Sequence, residues 1–173
     1  MQELPLAERS AWPAIPFLLL LLVLQVTLFS YLEAGGVTLQ LIPAFVIAFA
    51  LWRGSGEGLI VAFVGGMLID LLSAGPLGST TLALMLAVLP SGALRALLPD
   101  SRVLLPMVLA AMAMVIFSLG ALLFSRLGGY PVRWEQVQTV LPAALLHLPL
   151  IFVLFAVMDG IGRFLARRSR ITL

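Results

Sequence analysis

Asp70 is the residue in this chain whose surroundings most demand an explanation. It stands in the stretch Gly58-Leu-Ile-Val-Ala-Phe-Val-Gly-Gly-Met-Leu-Ile-Asp70, which is otherwise apolar or glycine. A carboxylate inside a membrane-crossing helix costs roughly 2.5–3.5 kcal/mol on insertion scales, so it needs a partner or a purpose. Two readings follow. Asp70 accepts N–H groups from the turn or helix that comes after it, as a cap, or it contacts a partner or ligand. His147, the one histidine, lies between Pro142 and Pro149. It offers a proton relay or ligand contact, or a neutral ring bonded to a carbonyl that Pro149 has freed. Gln25 and Thr27 are candidates for hydrogen bonds between helices. Asp159 and Arg163 stand four apart, the spacing of a helical ion pair. Arg53 and Glu57 flank a Gly54-Ser55-Gly56 turn and read as a solvated loop.

These residues do not assemble into a catalytic set. There is no cysteine, no pair of carboxylates on one helix, and no Ser/His/Asp arrangement with interpretable spacing. No phosphate-cradling loop is followed by lysine. One histidine cannot make a metal site, which needs several ligands at suitable spacing. The expectation is a protein that is not an enzyme and carries neither cofactor nor metal.

Counting back from Asp70 by fours gives Gly66, Ala62 and Gly58. One helical row is therefore small, small, small, acidic. Such a row lets another helix approach closely, with a polar anchor at its end. The turn Gly75-Pro76-Leu77-Gly78 follows and brings the chain back sharply. Gly58, Ala62, Gly66, Asp70, Gly75, Pro76, Leu77 and Gly78 are the expected partner-binding residues, with a helix of this same chain as the other possible occupant of the row.

The elements that must position these residues are apolar throughout. The chain is 62% hydrophobic and 10% charged, against about 45–50% and 25% in soluble domains. A water-facing surface cannot be built from so few charges. The net charge is +2, and no basic face is interleaved with aromatics, so nucleic-acid binding is excluded. The expectation is a single all-α integral membrane domain over residues 1–173. Six helices are expected near 13–30, 37–52, 58–73, 79–94, 103–124 and 140–158, followed by a basic tail over 159–173. The second and fourth are short for a hydrocarbon core about 30 Å thick and are expected to gain from their flanks or to lie buried among the longer ones. Glu3 and Glu8 precede the first segment against one Arg9, and no A-x-A site follows it, so it is expected to stay as a helix. With six spans, eight of the arginines fall on the side of the termini and two, Arg126 and Arg133, on the other. The positive-inside rule then places both termini in the cytoplasm. Arg163, Arg167, Arg168 and Arg170 could rest on anionic headgroups of the lipid bilayer or merely fix topology.

The segment Gly65-Gly-Met-Leu-Ile-Asp70-Leu-Leu-Ser-Ala-Gly-Pro-Leu-Gly78 resembles the signature of MreD, the rod shape-determining membrane protein family of bacteria. Length, short loops, six-segment hydropathy and a basic C-terminus agree. The resemblance implies a non-enzymatic scaffold of the cell-elongation complex in the plasma membrane. It implies MreC as a bitopic partner and influence on RodA and a class B penicillin-binding protein. MreB filaments would lie on the cytoplasmic side. That family in turn resembles the six-helix substrate-binding components of energy-coupling-factor transporters, so a small-molecule-binding membrane subunit is the rival reading. The scarcity of convergent polar groups favours the scaffold.

Overall fold

The computed structural model describes residues 14–27, 33–34, 37–97 and 104–169, and the side chains of 16–27, 39–90 and 105–160. Its elements are α1 (Ala14–Thr27), β1 (Glu33–Ala34), β2 (Val37–Thr38), α2 (Leu41–Arg53), α3 (Ser55–Leu72), α4 (Ser79–Leu97), α5 (Leu104–Leu127), α6 (Trp134–Gln138) and α7 (Val140–Ser169). Among the described residues the chain is helical apart from one two-residue antiparallel pairing, Glu33 with Thr38 and Ala34 with Val37. Three helices, over Ser55–Leu72, Leu105–Leu127 and Val140–Gly160, are long and apolar enough to cross a membrane. Leu20, Val23, Ile60, Leu71, Leu123 and Val153 are each more than half exposed. Apolar surface spread over so many helices suits lipid rather than water.

α2 is the centre of the molecule. Every residue from Leu41 to Leu51 is buried, and the helix packs on α1, α3, α4, α5 and α7. Its sequence, LIPAFVIAFALWR, is hydrophobic all round, the pattern of a helix surrounded by others. At 13 residues it is about 20 Å long. The expectation that this short segment lies buried among longer helices is met.

Its start differs from expectation, at Leu41 instead of Val37. Pro43 explains why. Proline is tolerated in the first turn, where N–H groups have no intrahelical acceptor, and four residues earlier it would have stood inside the helix. Val37 and Thr38 instead take extended backbone, which suits β-branched side chains. At the other end Gly54, with φ of 99°, closes α2 in a conformation that favours glycine. A single residue makes the turn, so α3 begins at Ser55 and not at Gly58. Arg53 Nε then lies 3.4 Å from Glu57 Oε2 across the turn, and its guanidinium stacks over Trp52. These two charges form a half-buried ion pair where a solvated loop was expected.

The remaining boundaries shift less. α4 and α5 run three residues further than expected at their C-termini, α1 covers Ala14–Thr27, and α6 interrupts what was read as a plain loop. The expected basic tail is a continuation of α7 to Ser169. Arg163, Arg167 and Arg168 lie on it outside the described side chains, and Arg170 lies outside the described residues. Neither the headgroup role of these arginines nor the Asp159–Arg163 pair is therefore described.

Small residues set the spacing of the bundle. A Cβ on Gly58 would stand 2.6 Å from the Ala50 Cβ and 3.0 Å from Val88 Cγ1. Gly120 faces Ala83 across the α4–α5 contact. Close packing of this kind holds helices together where no hydrophobic effect separates protein from lipid. Gly56 meets nothing within 4 Å. Gly58→Val is accordingly expected to destabilise the fold by about 1–3 kcal/mol through overpacking, while Gly56→Ala leaves it unchanged. Thermal unfolding of the purified protein in detergent reads both.

Candidate functional site: two capped helix starts and the cavity between them

Asp70 caps α4 from α3. Gly78, the residue before α4, has φ of 91° and no side chain with which to cap the helix it precedes. Asp70 supplies the missing acceptors. Its Oδ2 accepts the Gly78 N–H at 3.1 Å, the Thr81 N–H at 3.0 Å and the Thr81 hydroxyl at 2.6 Å. Its Oδ1 accepts the Thr80 N–H at 3.0 Å. All four partners donate, an arrangement suited to a carboxylate. The negative group also faces the positive end of the α4 dipole. The side chain is 1% exposed. Around it the turn is knitted by Ser79 Oγ donating to the Pro76 carbonyl at 2.8 Å and the Ser73 N–H donating to the Ile69 carbonyl at 2.9 Å.

The Gly58-Ala62-Gly66-Asp70 row is occupied from within, and the expectation of an open groove for a partner helix is corrected. Gly66 lies against the backbone of Thr81, so close that a Cβ there would collide with the Thr81 Cα. Ala62 is fully buried, and Gly58 meets α2 and α4. The helices of this chain fill the row because Asp70, at its end, fastens the start of α4 against it. A leucine at Gly66 would therefore break the α3–α4 contact itself. Of the expected partner residues, the turn Gly75-Pro76-Leu77-Gly78 stays at the surface, and Leu77 is 77% exposed.

α2 is capped by the same device, from two other helices. Gln25 of α1 accepts the N–H groups of Leu41 and Ile42 at 2.9 and 3.1 Å. His147 of α7 accepts the Gln40 N–H on Nε2 at 2.8 Å, and its Nδ1 faces the Ala143 carbonyl at 2.6 Å. Nδ1 must then carry the proton, and the ring is neutral in this arrangement. The Ala44 N–H reaches the Gln40 carbonyl at 3.4 Å, and Pro43 has no N–H. Each donor of the first turn is accounted for. The reading of His147 as a ring bonded to a carbonyl holds, but the carbonyl is that of Ala143, one turn back along α7, and not one freed by Pro149. Gln25 makes the expected bond between helices. Thr27 does not, since its hydroxyl returns to the Val23 carbonyl of its own helix at 2.7 Å.

Above the start of α2 lies a cavity of about 490 Å³, with Gln25, Gln40, Thr80, Ser118 and His147 among its lining. Asp70 and His147 therefore belong to neighbouring caps, and no contact joins them into a catalytic pair. Gln40 and Thr81 were not singled out from sequence. Gln40 stands directly before α2 and Thr81 is the third residue of α4, so the available signal was a polar residue at the start of an apolar helix. Among the described residues no group of three His, Cys, Asp or Glu side chains could hold a metal ion.

Comparison with known proteins adds no relative: no family model, no curated protein and no solved structure matches this chain. The fold and its apolar exterior define an all-helical chain of the kind that resides in membranes.

Asp70→Ala would leave the N–H groups of Gly78, Thr80 and Thr81 without this acceptor, a loss of about 3 kcal/mol. Thr81→Val removes one donor and is expected to cost about 1 kcal/mol. Chemical unfolding in mixed micelles should rank wild type above Thr81→Val and Thr81→Val above Asp70→Ala. For α2, Gln25→Leu and His147→Leu expose donors of the same turn, so their effects should couple by about 0.5–3 kcal/mol in a double-mutant cycle.

Proposed function

We propose that this chain is a six-span protein of the bacterial plasma membrane that acts as a non-enzymatic scaffold in the cell-elongation machinery. Both termini lie in the cytoplasm. Its direct partner is an MreC-like bitopic protein, and through that partner it supports lateral peptidoglycan synthesis by RodA and a class B penicillin-binding protein, with MreB filaments on the cytoplasmic side. The six-span arrangement rests on the six apolar helices and on the eight-to-two division of arginines. It puts the Asp70 end of the bundle outside and the Arg53 turn inside.

The observation that carries the reading is the α3–α4 hairpin. Residues 65–78, which resemble the MreD signature, are tied to the start of α4 by Asp70, which takes up the N–H of Gly78 and those of Thr80 and Thr81. The unit presents Leu77 outward on a braced backbone. An exposed apolar side chain on a rigid turn is a suitable anchor for the outer part of a single-span partner. Gly75, Pro76 and Gly78 shape the turn that holds it.

A second reading is favoured by the cavity beside Gln25 and His147. It makes the chain the small-molecule-binding membrane subunit of an energy-coupling-factor-type transporter.

Affinity purification of the tagged protein from its own cells, with mass spectrometry of what accompanies it, separates the two. The scaffold reading expects an MreC-like protein and cell-wall synthases. Leu77→Asp should lower recovery of the MreC-like protein by about tenfold or more without changing thermal stability. Recovery of an ATPase pair and a coupling subunit instead would overturn the scaffold in favour of the transporter.

A further inference from the structure

The cavity between the two capped helix starts has a composition of its own. Its volume of about 490 Å³ is in the range of small-molecule sites. Among the described residues, no Asp, Glu, Lys or Arg lines it. Asp70 binds Thr80 of the wall, but its carboxylate is already taken up by Gly78, Thr80 and Thr81. His147 is held neutral by its two backbone bonds. The described wall therefore offers a charged occupant no counter-charge to offset its loss of water.

The polar groups of the wall also have directions. Ser118 spends its hydroxyl proton on the Met114 carbonyl at 2.9 Å, and Thr139 spends its own on the Gln136 carbonyl at 2.9 Å. Both oxygens can then only accept. Gln136 uses its amide oxygen on the Arg133 N–H at 3.0 Å, which leaves its amino group as a donor. A wall that offers acceptors and a donor, but no charge, matches hydroxyl groups, which do both. Phe117 and Met114 add an apolar face to the same cavity. Sugars combine these features, with hydroxyls around the rim of a ring whose C–H face is apolar.

We propose that this cavity is a binding site for an uncharged glycosyl group, supplied either by a free sugar or by the head of a neutral glycolipid. The site would open on the outer side in the six-span orientation. It goes beyond the scaffold reading and does not depend on which protein partner the chain takes.

The test uses the full chain purified in an amine-oxide detergent, since maltoside and glucoside detergents would themselves compete. Three probes are offered separately: monoglucosyl diacylglycerol, methyl β-glucoside, and phosphatidic acid with the same acyl chains. Native mass spectrometry and thermal shift read binding. The expected result is binding of a glucosyl probe in preference to phosphatidic acid. Binding of the glucolipid alone identifies a lipid head as the source, and binding of methyl β-glucoside as well identifies a free sugar. Ser118→Leu, which fills the cavity, and Thr139→Val, which removes an acceptor at nearly constant volume, should each weaken that binding about tenfold. Both variants are scored only against their own unliganded melting curves, and Gly56→Ala should bind as wild type. Failure of both glucosyl probes, equal binding of phosphatidic acid, or full binding by both cavity variants would overturn the proposal.

Discussion

Two helices of this protein begin with N–H groups that the residues before them do not satisfy, and the rest of the structure depends on what does. A buried backbone donor without an acceptor costs about as much as a lost hydrogen bond or more. Neither α2 nor α4 supplies its own cap. Gln40 and Gly78, the residues before them, give no side-chain bond to the helix start. The acceptors come from Gln25, Asp70 and His147, on three different helices. Each cap is thus also a tie between helices. α1 and α7 are fixed to the start of α2, and α3 to the start of α4. The same arrangement leaves room above α2, because a helix of about 20 Å does not fill the depth of its longer neighbours. The cavity is a consequence of the short central helix, and its polar floor is the capping machinery.

Glycine and alanine make the ties possible. Gly66 admits the Thr81 backbone to the distance at which Asp70 can reach it, and Gly58 does the same for α2 and α4 at the other end of the helix. The row and the carboxylate at its end are one device, an approach surface with a lock. In the proposed function this device holds the 73–78 turn still, so that the outward face of Leu77 is presented in a fixed position. A motif that braces a turn internally can be the signature of a docking protein without touching the partner itself.

Much of this was legible in the sequence, for local reasons. Six apolar stretches separated by Gly, Pro and Arg gave six helices. Asp70 beside a Gly-Pro-Leu-Gly turn gave a cap as one of its two readings, because a carboxylate close before a helix start has few other uses. What was not legible is tertiary. The spacing of Gly58, Ala62 and Gly66 says that a helix comes close, not whose helix it is. The occupant is α4, which Asp70 fastens there, together with α2 at Gly58. The sequence places the start of α2 four residues early because Val37 and Thr38 are apolar enough to continue the stretch, whereas the backbone there pairs with Glu33 and Ala34. Nothing local marks Gln40, since its contact, His147, is 107 residues away. The five-residue helix α6 is too short for any periodic signal.

The central claim is that Gln25, Asp70 and His147 satisfy the first N–H groups of α2 and α4. Hydrogen–deuterium exchange of the wild-type protein in nanodiscs, resolved to single amides, tests it most directly. The amides of Gln40, Leu41, Ile42, Gly78, Thr80 and Thr81 should exchange as slowly as the interior of α2. Exchange of these amides at the rate of unprotected, solvent-exposed amides would contradict it.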